Sequence, residues 1–143
     1  SKIAATASTS YTDTTAQGGV LYIYEVNSVD SNGGISADSA NVYNAFVAAT
    51  TVTVKAGTGS LTVSWTKVTG ASGYEVYYRA SSTASWTYWK DVTGTSLSDG
   101  VGSGKYYEYK IRPFVKTDQT KYPSAAKYYF ADACSSYAGA KAN

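Results

Sequence analysis

The chain has 143 residues, 43% of them hydrophobic, with 12 Lys and Arg against 10 Asp and Glu and no histidine. A net charge of +2 is no nucleic-acid footprint, since that would need a clustered basic surface. The missing histidine excludes Ser-His-Asp and Cys-His catalysis, and no apolar run approaches the ~20 residues that span a bilayer as a helix.

From the N-terminus, short runs alternate apolar and polar residues between Gly, Ser, Asp and Asn turns, the pattern of half-buried antiparallel strands. Residues 1–5, 9–12, 20–30 and 36–46 read as four strands. Asp30-Ser31-Asn32-Gly33-Gly34 forms the hairpin turn between the last two, where Asn-Gly suits a positive φ. Residues 47–51 join this part to the next without a Gly/Ser tract, which predicts a fixed hinge. Then follow strands at 51–55, 61–65, 74–79, 86–92, 96–99, 106–116 and 123–130, spaced by about 8–12 residues as in a two-sheet sandwich. Residues 132–143 are small and polar and read as a tail or linker.

The two parts repeat each other. Thr9-Ser10-Tyr11-Thr12-Asp13 returns 86 residues later as Thr95-Ser96-Leu97-Ser98-Asp99. Gly19-Val20-Leu21-Tyr22-Ile23-Tyr24-Glu25-Val26 returns 85 residues later as Gly104-Lys105-Tyr106-Tyr107-Glu108-Tyr109-Lys110-Ile111. The same register aligns Ser39 and Tyr43 with Ser124 and Tyr128. So long a period exceeds a solenoid unit and suits a small β domain. The chain therefore divides into the C-terminal half of one module (1–47), a complete module (48–131) and the tail.

The blocks Leu61-Thr62-Val63-Ser64-Trp65, Gly73-Tyr74-Glu75-Val76-Tyr77 and Gly104 to Arg112 resemble the fibronectin type III domain, in the tandem form of secreted and surface proteins of Gram-positive bacteria. The resemblance covers residues 1–46 as a half and about 49–131 as a whole. It implies an all-β, immunoglobulin-like seven-stranded β-sandwich. It also places Trp65 in the core and makes Tyr107, with Tyr22 as its counterpart, the tyrosine that bonds back to the chain at a strand start. Pro113 departs from the family. Lacking a donor, it predicts a bulge or strand end.

Little chemistry competes with this. Cys134 has no base beside it, so a reactive thiol is not expected. Asp30 and Asn32 offer too few oxygens for calcium. The acids sit in turns or on outward strand positions rather than as a facing pair. The chain is expected not to be an enzyme and to need no cofactor or metal. The one surface with binding potential is aromatic. Tyr77, Arg79, Tyr106, Glu108, Lys110 and Arg112 should face outward, opposite Tyr74, Val76, Tyr107, Tyr109 and Ile111. Trp86 and Tyr88 should share one face of their strand. Tyr77, Arg79, Trp86, Tyr88, Tyr106 and Arg112 are the candidate ligand or partner surface, since exposed rings beside Arg stack on sugars or dock proteins.

The expected role is a structural module, spacer or adhesion scaffold of a larger extracellular, secreted or surface protein. Two alternatives are a filament subunit whose half-module is completed in trans and a carbohydrate-binding module. Partners would be neighbouring domains, copies of the chain or a glycan, with neither nucleic acid nor membrane insertion. The half-module, its apolar face uncovered, has three resolutions. It is a fragment of a longer protein, it is completed by another chain, or it packs on the complete module.

Overall fold

The computed structural model describes all 143 residues, and every regular element is a strand. In chain order these are β1 (Leu21–Tyr24), β2 (Val42–Ala45), β3 (Val52–Gly57), β4 (Ser60–Trp65), β5 (Gly73–Arg79), β6 (Thr87–Val92), β7 (Ser96–Asp99), β8 (Tyr106–Lys116), β9 (Tyr128–Phe130) and β10 (Ala138–Lys141). All pairings are antiparallel. One sheet runs β3-β4-β7 and the other β10-β8-β5-β6, with β9 also on β8. These two sheets form the complete sandwich. Alternation does the work: Leu61, Val63 and Trp65 from the first sheet meet Tyr74, Val76, Tyr109 and Ile111 from the second, all buried. Trp65 is in the core as expected and meets the Tyr74 ring edge-on at 5.6 Å.

The C-terminal residues differ from expectation. Residues 138–141 are not a linker but pair with Tyr106 to Tyr109, so the closing strand of the sandwich is split into β9 and β10. Pro113 explains where the split falls. β8 itself runs straight through Pro113, which pairs with Tyr74 on β5. The side lacking an N–H faces the closing strand, and there the partner leaves the ladder between Phe130 and Ala138. Ala131 N–H reaches the Pro113 carbonyl at 2.9 Å, and Ser135 exchanges two hydrogen bonds with Ile111. The interruption thus falls on the neighbour, not on the proline's own strand.

The repeat is legible bond by bond. Tyr24 donates to the Asp13 carboxylate at 3.0 Å, and its counterpart Tyr109 donates to Asp99 at 2.7 Å. Gly19 N–H donates to the Phe46 carbonyl at 3.0 Å, as Gly104 does to Ala142, also at 3.0 Å. Val26 N–H donates to Ser39 Oγ and the Val26 carbonyl accepts from Ser39 N–H, as Ile111 does with Ser135. Ser39 therefore corresponds to Ser135, not to Ser124, and the return strand is offset by 96 residues rather than 85. Ser28, at the place of Pro113, keeps its N–H and donates to Ser36 Oγ at 2.9 Å. There the return strand makes no detour.

The half-module is more sparsely paired than expected. β1 and β2 are its only strands, extended by a bridge between Val29 and Ile35. The turn expected at residues 30–34 forms, with the positive φ on Gly33 (86°) and the Asp30 carboxylate accepting from the Asn32 and Gly34 amides. Residues 1–5 and 9–12 are not strands, because nothing stands where β5 and β4, the partners of their counterparts β6 and β7, stand in the complete module. Tyr22 accepts from Gln17 N–H at 2.9 Å, the expected corner bond. Tyr107 makes no such bond and lies against Tyr78 instead, with ring centroids 6.0 Å apart.

One face of the half-module rests on the complete module. Leu21, Ala45 and Val47 pack against its core, and the Tyr129 hydroxyl donates to the Tyr43 carbonyl at 3.1 Å. At the tightest point two glycines meet. A Cβ on Gly70 (φ 77°) would lie 2.2 Å from the Gly18 carbonyl oxygen and 2.5 Å from Gly19 Cα. The direct-packing resolution thus holds for this face. On the opposite face Tyr22 and Tyr24 are half-buried and Val42 is exposed.

Candidate binding surface

Cross-strand pairing puts Glu75, Tyr77 and Arg79 of β5 opposite Arg112, Lys110 and Glu108 of β8 on the outer face of the larger sheet. A register shift between Val76 and Tyr77 sets Tyr88 of β6 beside Tyr77, rings 5.8 Å apart. Trp89 turns to the core side, against Tyr78 and Tyr109. Trp86, just before β6, lies outside.

Five of the six candidates form one continuous row. The Arg79 guanidinium sits 4.4 Å from the Trp86 ring centroid and 4.8 Å from that of Tyr137. The Lys110 ammonium sits 4.8 Å from Trp86 and 5.3 Å from Tyr77. Tyr88 extends the row from Tyr77. Tyr106 closes it through Glu108, which takes hydrogen bonds from Tyr106 and Arg79. Arg112 stands apart. Its guanidinium lies over Phe130 at 4.7 Å and donates to the Ala131 carbonyl.

Tyr137 and Lys110 complete the row, though neither is among the six candidates. Lys110 was legible as an outward residue beside Tyr77. Tyr137 had no signal, because its segment lacks the alternation of a strand.

The electrostatics are self-satisfied. Glu108 is 4% exposed despite its outward position. Burial pushes its carboxyl up, but hydrogen bonds from Tyr106 and Arg79 and the guanidinium charge outweigh that and hold it below the ordinary value of 4.5. Burial, with the Glu75 carboxylate it donates to, pushes the Tyr77 phenol up to about 12. Each cation thus has an anion or a ring. Trp86 is half-buried with two cations against it, while Tyr88, Tyr106 and Tyr137 are exposed at the ends.

A depressed Glu108 pKa makes stability pH-dependent in a definite sense. The contribution is present above the unfolded carboxyl's pKa and is lost as pH falls through the lower folded one. Glu108→Gln should therefore be less stable than the parent at neutral pH, and the gap should close as pH falls below the ordinary value of 4.5. Urea midpoints measured from pH 7 down to 3 check this. A gap that does not change with pH would refute it.

The surface has no deep cavity. One depression lies beside Phe114 and residues 91–94. Another is the groove between the modules, lined by Phe46, Thr50, Thr66 and Val68 among others.

No protein-family model matches the sequence, and no curated protein matches it significantly. Among solved structures, a β-1,2-glucanase from Parabacteroides distasonis is similar over 67% of this chain, at 14% identity and a TM-score of 0.51. The titin kinase with its flanking domains is similar over 68%, at 12% identity and 0.50. An Fn3-like protein from Clostridium thermocellum is similar over 70% of this chain and 94% of its own, at 19% identity and 0.48. The chain spans 12% of the glucanase chain and 17% of the titin chain. At these identities the likeness is one of fold, and fold alone carries no function.

Proposed function

We propose that the chain is a non-catalytic structural module, a spacer or adhesion scaffold, of a multidomain extracellular protein. The observation that carries this is the packed junction between a half-copy and a complete copy of one β-module. A half-module and a sandwich joined backbone to backbone, with Gly18 and Gly19 seated on Thr69 and Gly70, hold a set angle. A hinge of Gly/Ser linker would not. The fold, the outward Tyr and Lys decoration and the lack of a convergent polar cavity all suit a spacer better than a catalyst.

Small-angle scattering tests the fixed angle. The parent should fit a single orientation of the half-module on the complete one. Gly18→Val, whose Cβ would lie 2.9 Å from the Thr69 carbonyl oxygen, should broaden the distance distribution without costing the complete module more than about 1 kcal/mol of unfolding free energy. A parent as broadly distributed as the variant would sink the spacer reading.

The second reading, glycan binding through Tyr77, Trp86 and Tyr88, draws on the exposed rings of Tyr88, Tyr106 and Tyr137 at the ends of the row. A sugar stacking on Trp86 would have to displace Arg79 or Lys110. Titration with cell-wall or plant glycans decides it: no change in Trp fluorescence at millimolar glycan removes this reading.

A further inference from the structure

We propose that residues 137–143 are a strap that opens and closes as a unit while the rest of the sandwich stays folded. Its buckle is the cluster of Glu108, Arg79 and Tyr106 on the outer face of the larger sheet.

The strap ties one sheet to the other. β10 pairs with Tyr106 to Tyr109 of β8. Ala142 N–H donates to the Lys105 carbonyl at 2.9 Å. The chain then crosses to the β3–β4 turn, where Asn143 N–H donates to the Gly57 carbonyl and Gly59 N–H donates to the Asn143 carbonyl, both at 3.0 Å. Its own side chains fasten it weakly. Toward the core it brings only the methyl groups of Ala138, Ala140 and Ala142. By contrast β9, the other piece of the closing strand, sets the rings of Tyr128 and Phe130 against Phe114. A segment rich in main-chain bonds and poor in buried apolar surface is one that opens locally.

The fastening comes from the other side. Gly139 stands opposite Glu108, and the Tyr106 hydroxyl and Glu108 Cγ come within 2.6 and 2.7 Å of the place its Cβ would take. The buried Glu108 carboxylate accepts from the Tyr106 hydroxyl at 2.8 Å and from Arg79 Nε. The Arg79 guanidinium lies against the rings of both Trp86 and Tyr137, and Tyr137 is the residue directly before β10. Opening the strap therefore lifts Tyr137 off Arg79 and uncovers Glu108 at Gly139. Closed, the strap is gripped at both places by side chains that β5 and β8 hold in position.

This device goes beyond the spacer role and stands whether or not the row binds a glycan. Hydrogen exchange on the full chain at neutral pH, in urea below the unfolding range, tests it. The hydrogen-bonded amides of residues 138–142 should exchange about tenfold or more faster than those of Leu61 to Trp65, with little dependence on urea, because a small opening exposes little surface. Tyr137→Ala and Gly139→Ala should each speed the strap by about a further tenfold. Tyr137 is 57% exposed, so a ring without a fastening role would leave the rate unchanged. Val76→Ala hollows the core at a wholly buried position in the middle of the larger sheet. It weakens the sandwich alike with the strap open or closed, so it should speed the β4 amides and leave the strap's rate as it was. Strap amides that follow β4 in urea, a Tyr137→Ala strap that exchanges like the parent's, or a Val76→Ala strap that speeds in step with β4 would each overturn the proposal.

Discussion

Trp65→Ala should destabilise the complete module by about 3–5 kcal/mol, the usual cost of emptying a large aromatic site in a core. Trp65 is 6% exposed, lies between Leu61, Val63 and Tyr74 in the same cluster, and pairs with Val52 across β3. Tyr74, which it meets edge-on, is itself pinned by the Val68 amide at 2.9 Å, so the pocket has little freedom to collapse around the hole. For a module of this size the loss corresponds to a fall in melting temperature of about 4–8 °C per kcal/mol. Trp86 and Trp89 remain as fluorescent reporters in the variant. Trp65→Phe should cost much less than Ala. It keeps a ring in the pocket, and it removes an indole N–H that is buried without a partner. Urea unfolding of the three chains checks the order. A Trp65→Ala loss below about 1 kcal/mol, within the range of ordinary surface changes, would contradict this account of the core.

That core was readable from the amino acids because each strand has one dry and one wet face. Leu61, Val63 and Trp65, then Tyr74 and Val76, then Tyr109 and Ile111, announce their side by a period of two, and the antiparallel sandwich gives that period its meaning. The outward row on β5 and β8 followed by the same parity. What parity could not deliver was β10. Ala138-Gly139-Ala140-Lys141 has no β-branched or aromatic residue and reads as a tail. It is a strand because the sheet edge demands small residues there: a Cβ on Gly139 would lie 2.6 Å from the Tyr106 hydroxyl and 2.7 Å from Glu108 Cγ. The neighbouring strand's bulk dictates the composition. The same blind spot hid Tyr137 and matched Ser39 to Ser124. A uniform register cannot see that Pro113, standing where the first copy has Ser28, coincides with a return strand 11 residues longer (96 − 85 = 11). The tyrosine corner shows the opposite case. Tyr22 and Tyr107 match in sequence, but only Tyr22 bonds back, and the hydrogen bond shared by both copies is the Tyr–Asp pair one strand period further on.

The sharpest test of the one-and-a-half repeat compares a single truncation at its two equivalent positions. Ile111→Ala should cost about 2–5 kcal/mol, because the side chain is fully buried between the sheets and its removal leaves a cavity as well as lost transfer energy. Val26→Ala should cost less than about 0.5 kcal/mol, because Val26 is 71% exposed and its methyl groups already face solvent. The backbone does not explain the difference. Each residue exchanges the same two hydrogen bonds with a serine of the return strand, through Ser39 in one copy and Ser135 in the other. Only the covering layer differs, present as β4 over Ile111 and absent over Val26. Equal costs would mean that the first copy has a core of its own and that its open face is not open.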